Sequence, residues 1–325
     1  MIVTSEFKAP FWARNRHLQT IWPRFLVRKP KLDLHWEKLA TPDDDFIELA
    51  WTKNEPSQKG LVVIFHGLEG SVDSHYAAHL MAMLSTQGWR GVLVHFRGCG
   101  PLGNQTARSY HSGETQDNKR VLEELRRRYP DMPFVGIGYS LGGNMLLKLL
   151  GEEPEQSWLQ QAVAVSPPFD LARCSEAIAQ GFSRVYQYHL LKSMRRKFSE
   201  KFHRFDYRTL LGLNLAELNN FKSFYQFDDK ITGPLHGFKN ALDYYQRCSA
   251  NQFMQSIKTP TLVLHAKDDP FMTPDIVPHG KRISPSVRIE LSERGGHVGF
   301  LQGSLLNPVF WVNERIKRAL NEINV

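Results

Sequence analysis

Short, continuously apolar runs alternate along the chain with stretches whose apolar residues recur every three or four positions. Leu61–Phe65, Val92–Phe96, Phe134–Tyr139, Ala162–Val165, Thr261–His265 and Val287–Leu291 are runs of the first kind. Being apolar at nearly every position, they suit strands covered on both faces. Helical patterns fall between them at about 75–87, 114–128, 141–151 and 236–249, with another at about 309–322. This alternation predicts an α/β protein with a mostly parallel sheet and helices on both faces. Segments 34–40 and 46–51, split by Thr41-Pro42-Asp43-Asp44-Asp45, read as an opening hairpin. The rhythm breaks at 171–255, which contains no obvious strand. Leu191, Met194, Phe198, Phe202 and Phe205 recur there at spacings of three or four and predict one amphipathic helix. The expected organisation is an N-terminal arm (1–33), an α/β core (34–170 and 256–325) and a helical cap insertion (171–255).

A chain of 325 residues with 42% hydrophobic content has ample material for a large core. No apolar run approaches the roughly 20 residues of a spanning helix, and the N-terminus carries no signal-peptide pattern. Cys99, Cys174 and Cys248 are far apart and odd in number. That excludes a disulfide framework or a paired-cysteine metal knuckle, and fits a reducing, cytoplasmic setting. The net charge of +8 is uneven. Residues 1–31 carry seven Lys/Arg against Glu6, and residues 171–210 carry nine against three acids. Such segments suit a solvated face or peripheral contact with an anionic membrane. Nucleic acid is not expected, because no recognition motif accompanies the charge.

The most informative segment runs from the strand Phe134–Tyr139 through Gly138-Tyr139-Ser140-Leu141-Gly142 into a helical pattern. A Gly-x-Ser-x-Gly turn between strand and helix holds a serine hydroxyl bare at the top of a sheet, where it can attack an acyl carbon. Glycines flanking the serine leave room for the tight turn. The Leu141 N–H begins the helix and can face a developing oxyanion. A second donor is expected in the turn His66-Gly67-Leu68-Glu69-Gly70, at the N–H of Leu68.

A serine hydroxyl needs a base whose own proton is held by a carboxylate. Among thirteen histidines, His297 follows the last strand in Gly295-Gly296-His297-Val298-Gly299 and completes the order Ser, Asp, His. His66, His95 and His265 also end strands but break that order. The carboxylate should follow the penultimate strand, where counting from Ala266 selects Asp269, with Asp268 as the alternative. His75 and His79 share a helix face, but Tyr76 stands where a zinc-protease helix needs Glu, so neither a metal site nor a cofactor is expected. Arg97-Gly98-Cys99-Gly100 makes no phosphate loop; Cys99 could be reactive if exposed beside Arg97.

Together these motifs resemble an α/β-hydrolase, and further segments narrow the likeness. They are His17–Thr20, His66–Gly70, Arg97–Gly100, Tyr110–Thr115, Gly138–Gly143, Phe227-Asp228, Gly237-Phe238, Tyr244-Tyr245, Asp268-Asp269-Pro270 and Gly296-His297. The series is similar to the AB hydrolase 4 family of the AB hydrolase superfamily, and to its bacterial esterase branch, over about residues 10 to 312. The resemblance implies carboxylic ester hydrolysis by a charge-relay system falling on Ser140, Asp269 and His297. It also implies substrates of acylglycerol or phospholipid type, or transfer of medium-chain acyl groups to ethanol.

The expected activity is thus cleavage of short- to medium-chain or lipid-like esters through an acyl-enzyme on Ser140. The alternatives are an acyltransferase using the same residues and a non-catalytic binding module on a hydrolase scaffold.

Overall fold

The computed structural model describes residues 1–53 and 59–322. Residues 54–58 and 323–325, which the sequence reading assigns to the core, lie outside the described residues. Nine strands form the main sheet: β1 (Ile2–Thr4), β2 (Leu34–Ala40), β3 (Phe46–Thr52), β4 (Leu61–Phe65), β5 (Arg90–Val94), β6 (Phe134–Tyr139), β7 (Gln161–Val165), β8 (Thr261–Ala266) and β9 (Val287–Ser292). Their order is β1-β9-β8-β7-β6-β4-β5-β3-β2. The β2–β3 and β3–β5 pairs are antiparallel and all others are parallel.

The strand period of two divides the core into two layers. Leu61, Val63 and Phe65 of β4 pack on one face with Leu122 and Leu125 of helix Thr115–Arg128 and Met145 and Leu146 of helix Leu141–Glu152. Val62 and Ile64 point the other way, towards Leu80 and Leu84 of helix His75–Thr86 and Ile316 of helix Trp311–Asn321. The near-continuous apolar character of these strands therefore reflects burial on both sides.

The chain leaves β4 for β5 on one side and returns as β6 on the other, so strand order reverses at β4. The carboxyl ends of β4 and β6, where Phe65 is registered with Gly138, form the switch-point crevice that favours ligand sites in open α/β sheets.

Several elements depart from expectation, among them the hairpin of Leu301–Gly303 and Pro308–Phe310, whose second strand takes the start of the helix expected at about 309–322. Strand β1 was not foreseen: three residues are too few for a periodic signal, yet Ile2–Thr4 covers the edge of β9. Strand β5 ends two residues early because the Phe96 N–H turns away to donate to His66 Nε2 at 3.1 Å. The helical pattern at 236–249 reduces to Ala241–Cys248, because Gly237 adopts a φ of 75° and the Asn240 side chain caps the start.

Between β7 and β8 the chain is helical, with Leu171–Ile178 and the long Ser183–Phe202 leading a series of shorter helices. Leu191 and Phe198 of the long helix pack with Tyr207, Leu218, Phe227 and Ile231 in a separate apolar cluster. Phe205 lies beyond the helix end and still packs against this cluster.

Candidate active site

Ser140 sits between β6 and helix Leu141–Glu152 with φ 50° and ψ −117°. A non-glycine residue in that region is strained, and the strain is held by its surroundings. The Ser140 N–H donates to Val165 O at 2.8 Å, which ties the turn to β7. A Cβ on Gly138 would fall 2.4 Å from Gly142 O, and one on Gly142 would fall 2.4 Å from Phe65 O. Gly138 is thus required for the helix to start this close to β6, and Gly142 for it to lie this close to the end of β4.

His297 lies in the loop after β9. Its Nε2 is 2.9 Å from Ser140 Oγ, and its Nδ1 is 2.8 Å from Asp269 Oδ2. Asp269 is itself buried, and its Oδ1 accepts the Phe271 N–H at 2.8 Å. The Phe271 ring stacks on the imidazole at 4.0 Å. The structure therefore brings Asp269, and not Asp268, to His297. Asp268 Oδ1 instead accepts the Gly296 N–H at 3.0 Å and fixes the loop that carries the histidine. Burial holds the Asp268 carboxyl above its ordinary range.

The other support of this loop is the N-terminal arm. The His297 N–H donates to Thr20 Oγ1 at 3.0 Å, and Gln19 bonds both the N–H and the carbonyl of Leu301. A Cβ on Gly299 would fall 1.9 Å from Gln19 O, so arm and loop touch backbone to backbone. The sequence marks His17–Thr20 only through family likeness; nothing in local periodicity links residues some 280 positions apart.

On the other side of Ser140, the turn after β4 is pinned at alternate N–H groups. Gly67 donates to Tyr76 Oη and Glu69 donates to Tyr110 Oη, each at 2.8 Å. The intervening Leu68 N–H and the Leu141 N–H have no protein acceptor among the described residues, and both residues line the cavity beside Ser140. His66 supports the turn as a neutral imidazole. Its Nδ1–H donates to Gly67 O at 2.7 Å, and burial pushes its pKa down to about 3.

Glu69 was not singled out from the sequence. Its carboxylate accepts from Tyr110 Oη at 3.0 Å and from Ser193 Oγ at 2.7 Å. Ser193 belongs to the long helix Ser183–Phe202, so this helix is bonded to the turn that carries Leu68.

A cavity of about 170 Å³ opens at Ser140. Its walls are mainly apolar and include Leu171, Ile178, Leu190, Met194, Phe198 and Phe227 from the helices between β7 and β8. Polar groups at its margin are already engaged: Asp228 accepts from Tyr245 Oη at 2.7 Å, and Lys201 Nζ donates to Arg108 O at 2.7 Å.

The remaining candidates do not join the line from Asp269 through His297 to Ser140, although Arg97 reaches the cavity wall. Arg97 is buried among Asp43, Asp45 and Asp117 and locks the opening hairpin to the loop after β5. Cys99 is buried, and burial pushes its thiol up to about 12, so it lacks the exposed thiolate that reactivity requires. His75 and His79 both lie against the Phe310 ring.

A family model described as alpha/beta hydrolase fold matches residues 60–304. An Escherichia coli (strain K12) protein named "Putative esterase YheT" is 44% identical over 93% of this chain and 89% of that protein. "Phospholipase ABHD3" of Mus musculus is 27% identical over 93% of this chain and 75% of its own length. Among solved structures, the Pyrococcus furiosus esterase Pf2001 superposes with a TM-score of 0.56 at 17% identity, covering 98% of this chain and 97% of that one, a likeness of fold alone.

Proposed function

The chain belongs to the alpha/beta hydrolase fold family, and on that footing we propose that it is a serine esterase that forms an acyl intermediate on Ser140. The observation carrying this reading is the continuous hydrogen-bonded line from Asp269 through His297 to Ser140, beside two unpartnered N–H groups. In the first step Ser140 Oγ bonds to the ester carbonyl carbon while His297 Nε2 takes the hydroxyl proton. Asp269 holds the Nδ1–H and stabilises the imidazolium. The Leu68 and Leu141 N–H groups receive the negative charge on the carbonyl oxygen. Collapse breaks the ester C–O bond, and His297 returns the proton to the leaving alcohol. Water, deprotonated by His297, then attacks the acyl carbon and frees the acid and Ser140.

The apolar walls favour an aliphatic acyl chain of short to medium length or a lipid-like ester. The relatives named an esterase and a phospholipase support the same class. Three free cysteines favour a reducing compartment. Labelling by a fluorophosphonate, combined with turnover of p-nitrophenyl esters of graded chain length, tests the proposal. Both should vanish in Ser140→Ala, with kcat falling on the order of 10⁴-fold or more. A Ser140→Ala protein of undiminished activity overturns it. Added ethanol distinguishes hydrolysis from acyl transfer by whether acid or ethyl ester accumulates.

A further inference from the structure

We infer that the N-terminal arm, the loop at 304–307 and the start of the long helix Ser183–Phe202 form a face that docks on an anionic lipid bilayer.

Two contacts join these segments, and a third ties the arm to the loop after β9. Trp12 Nε1 donates to Gly303 O at 3.1 Å, so the arm meets the hairpin whose strands are Leu301–Gly303 and Pro308–Phe310. Arg294 donates to Arg14 O at 2.7 Å. The His17 ring lies 4.5 Å from that of Phe182, at the foot of the long helix.

Each segment ends in exposed apolar side chains. Phe11 is 85% exposed, Phe25 73% and Leu306 91%, while Phe182 and Val185 are more than half exposed. Single exposed apolar residues are ordinary, but large ones gathered from three segments mark an interaction surface.

The three segments themselves carry charge of one sign, and the carboxylate that reaches the arm, Asp73, is paired with Lys29. Residues 7–32, 177–199 and 294–313 contain no Asp or Glu. Arg14, Arg24, Arg28, Lys31, Arg184 and Lys192 are exposed and make no carboxylate ion pair among the described residues. Aromatic and aliphatic tips interleaved with unpaired cations are what an anionic membrane interface receives: rings at headgroup level, cations against phosphates. A protein partner would bring carboxylates but no apolar layer for isolated tips to enter. Among the described residues no helix is long and apolar enough to cross a membrane, so the contact would be peripheral. The arm that bears Phe11 and Phe25 also holds the His297 loop through Thr20, so docking and the active site share one element.

The test is sedimentation with vesicles of phosphatidylcholine, with or without about one-third phosphatidylglycerol. Binding should require the anionic lipid and weaken as salt is raised. Arg24→Glu with Arg28→Glu should weaken it by roughly 25-fold or more, at about fivefold per cation. Phe25→Ser with Leu306→Ser should also weaken it, with Tm unchanged. Ser140→Ala should bind like the wild type, which separates this inference from the catalytic reading. Equal binding to both vesicles, or retention by DNA or an acidic protein without vesicle binding, overturns it.

Discussion

Glu69 and Lys197 form an ion pair of 3.1 Å that links the turn bearing Leu68 to the long helix between β7 and β8. The Glu69 backbone is held at a φ of 56°, so its neighbour's N–H is set by a strained residue anchored from the far side of the cavity. Glu69→Gln should lower kcat on the order of 10- to 100-fold with little change in KM, because it displaces the turn that carries the proposed Leu68 donor rather than the apolar cavity wall. A double-mutant cycle with Lys197→Met should show a coupling of about 1 kcal/mol or more in kcat/KM. Additive effects would deny the link.

The two neighbouring carboxylates should separate cleanly. Asp269→Asn, whose one oxygen must accept the Phe271 N–H, turns an NH2 donor towards His297 Nδ1 and should cost about 10⁴-fold in kcat. Asp268→Asn loosens only the Gly296 anchor and should cost roughly tenfold or less, by loss of positioning. Comparison of ester turnover in the two variants checks this.

Gly142→Ala places a methyl group 2.4 Å from Phe65 O and 2.5 Å from His66 O. The helix must retreat from β4, carrying Leu141 with it. The expected outcome is a loss of about 1–3 kcal/mol in stability and of about 100-fold in kcat. Gly143→Ala, whose methyl would meet Gly138 O at 3.1 Å, should be much milder. Urea denaturation and single-turnover kinetics read the two effects separately.

Three buried imidazoles predict acid sensitivity. Burial pushes His66 down to about 3 and His95 and His265 down to about 4, from an ordinary 6.5. Below pH 6.5 the unfolded chain takes up protons that the folded chain refuses, so stability falls as pH falls and is level above that value. Each group should withdraw about 2 kcal/mol by about pH 5. Denaturation at neutral and acid pH measures this slope. His265→Leu should remove one share, since His265 Nδ1 has no hydrogen-bond partner among the described residues.

Much of this was legible in the chain because burial imposes local patterns. A strand covered on both faces must be apolar throughout, which exposed β4, β6 and β8 with at most a one-residue error. The Ser140 turn declared itself through glycines that the backbone contacts require. Chain order was enough to prefer His297. Asp268 and Asp269 could not be separated by residue type; only their directions, one towards Gly296 and one towards His297, distinguish them. The Thr20 anchor, the Glu69 links and β1 join distant residues without periodicity, so no window of sequence carries them. The Arg97 cluster was hidden for the same reason: its three aspartates come from two elements that meet only in the fold.

The backward twist at Ser140 has a consequence for anyone selecting hardier versions of this protein. Glycine accepts a φ of 50° that serine resists, so Ser140→Gly should raise Tm while abolishing ester turnover. A thermal screen blind to catalysis would therefore reward chains that had discarded the proposed nucleophile, and heat tolerance and reactivity would have to be selected together.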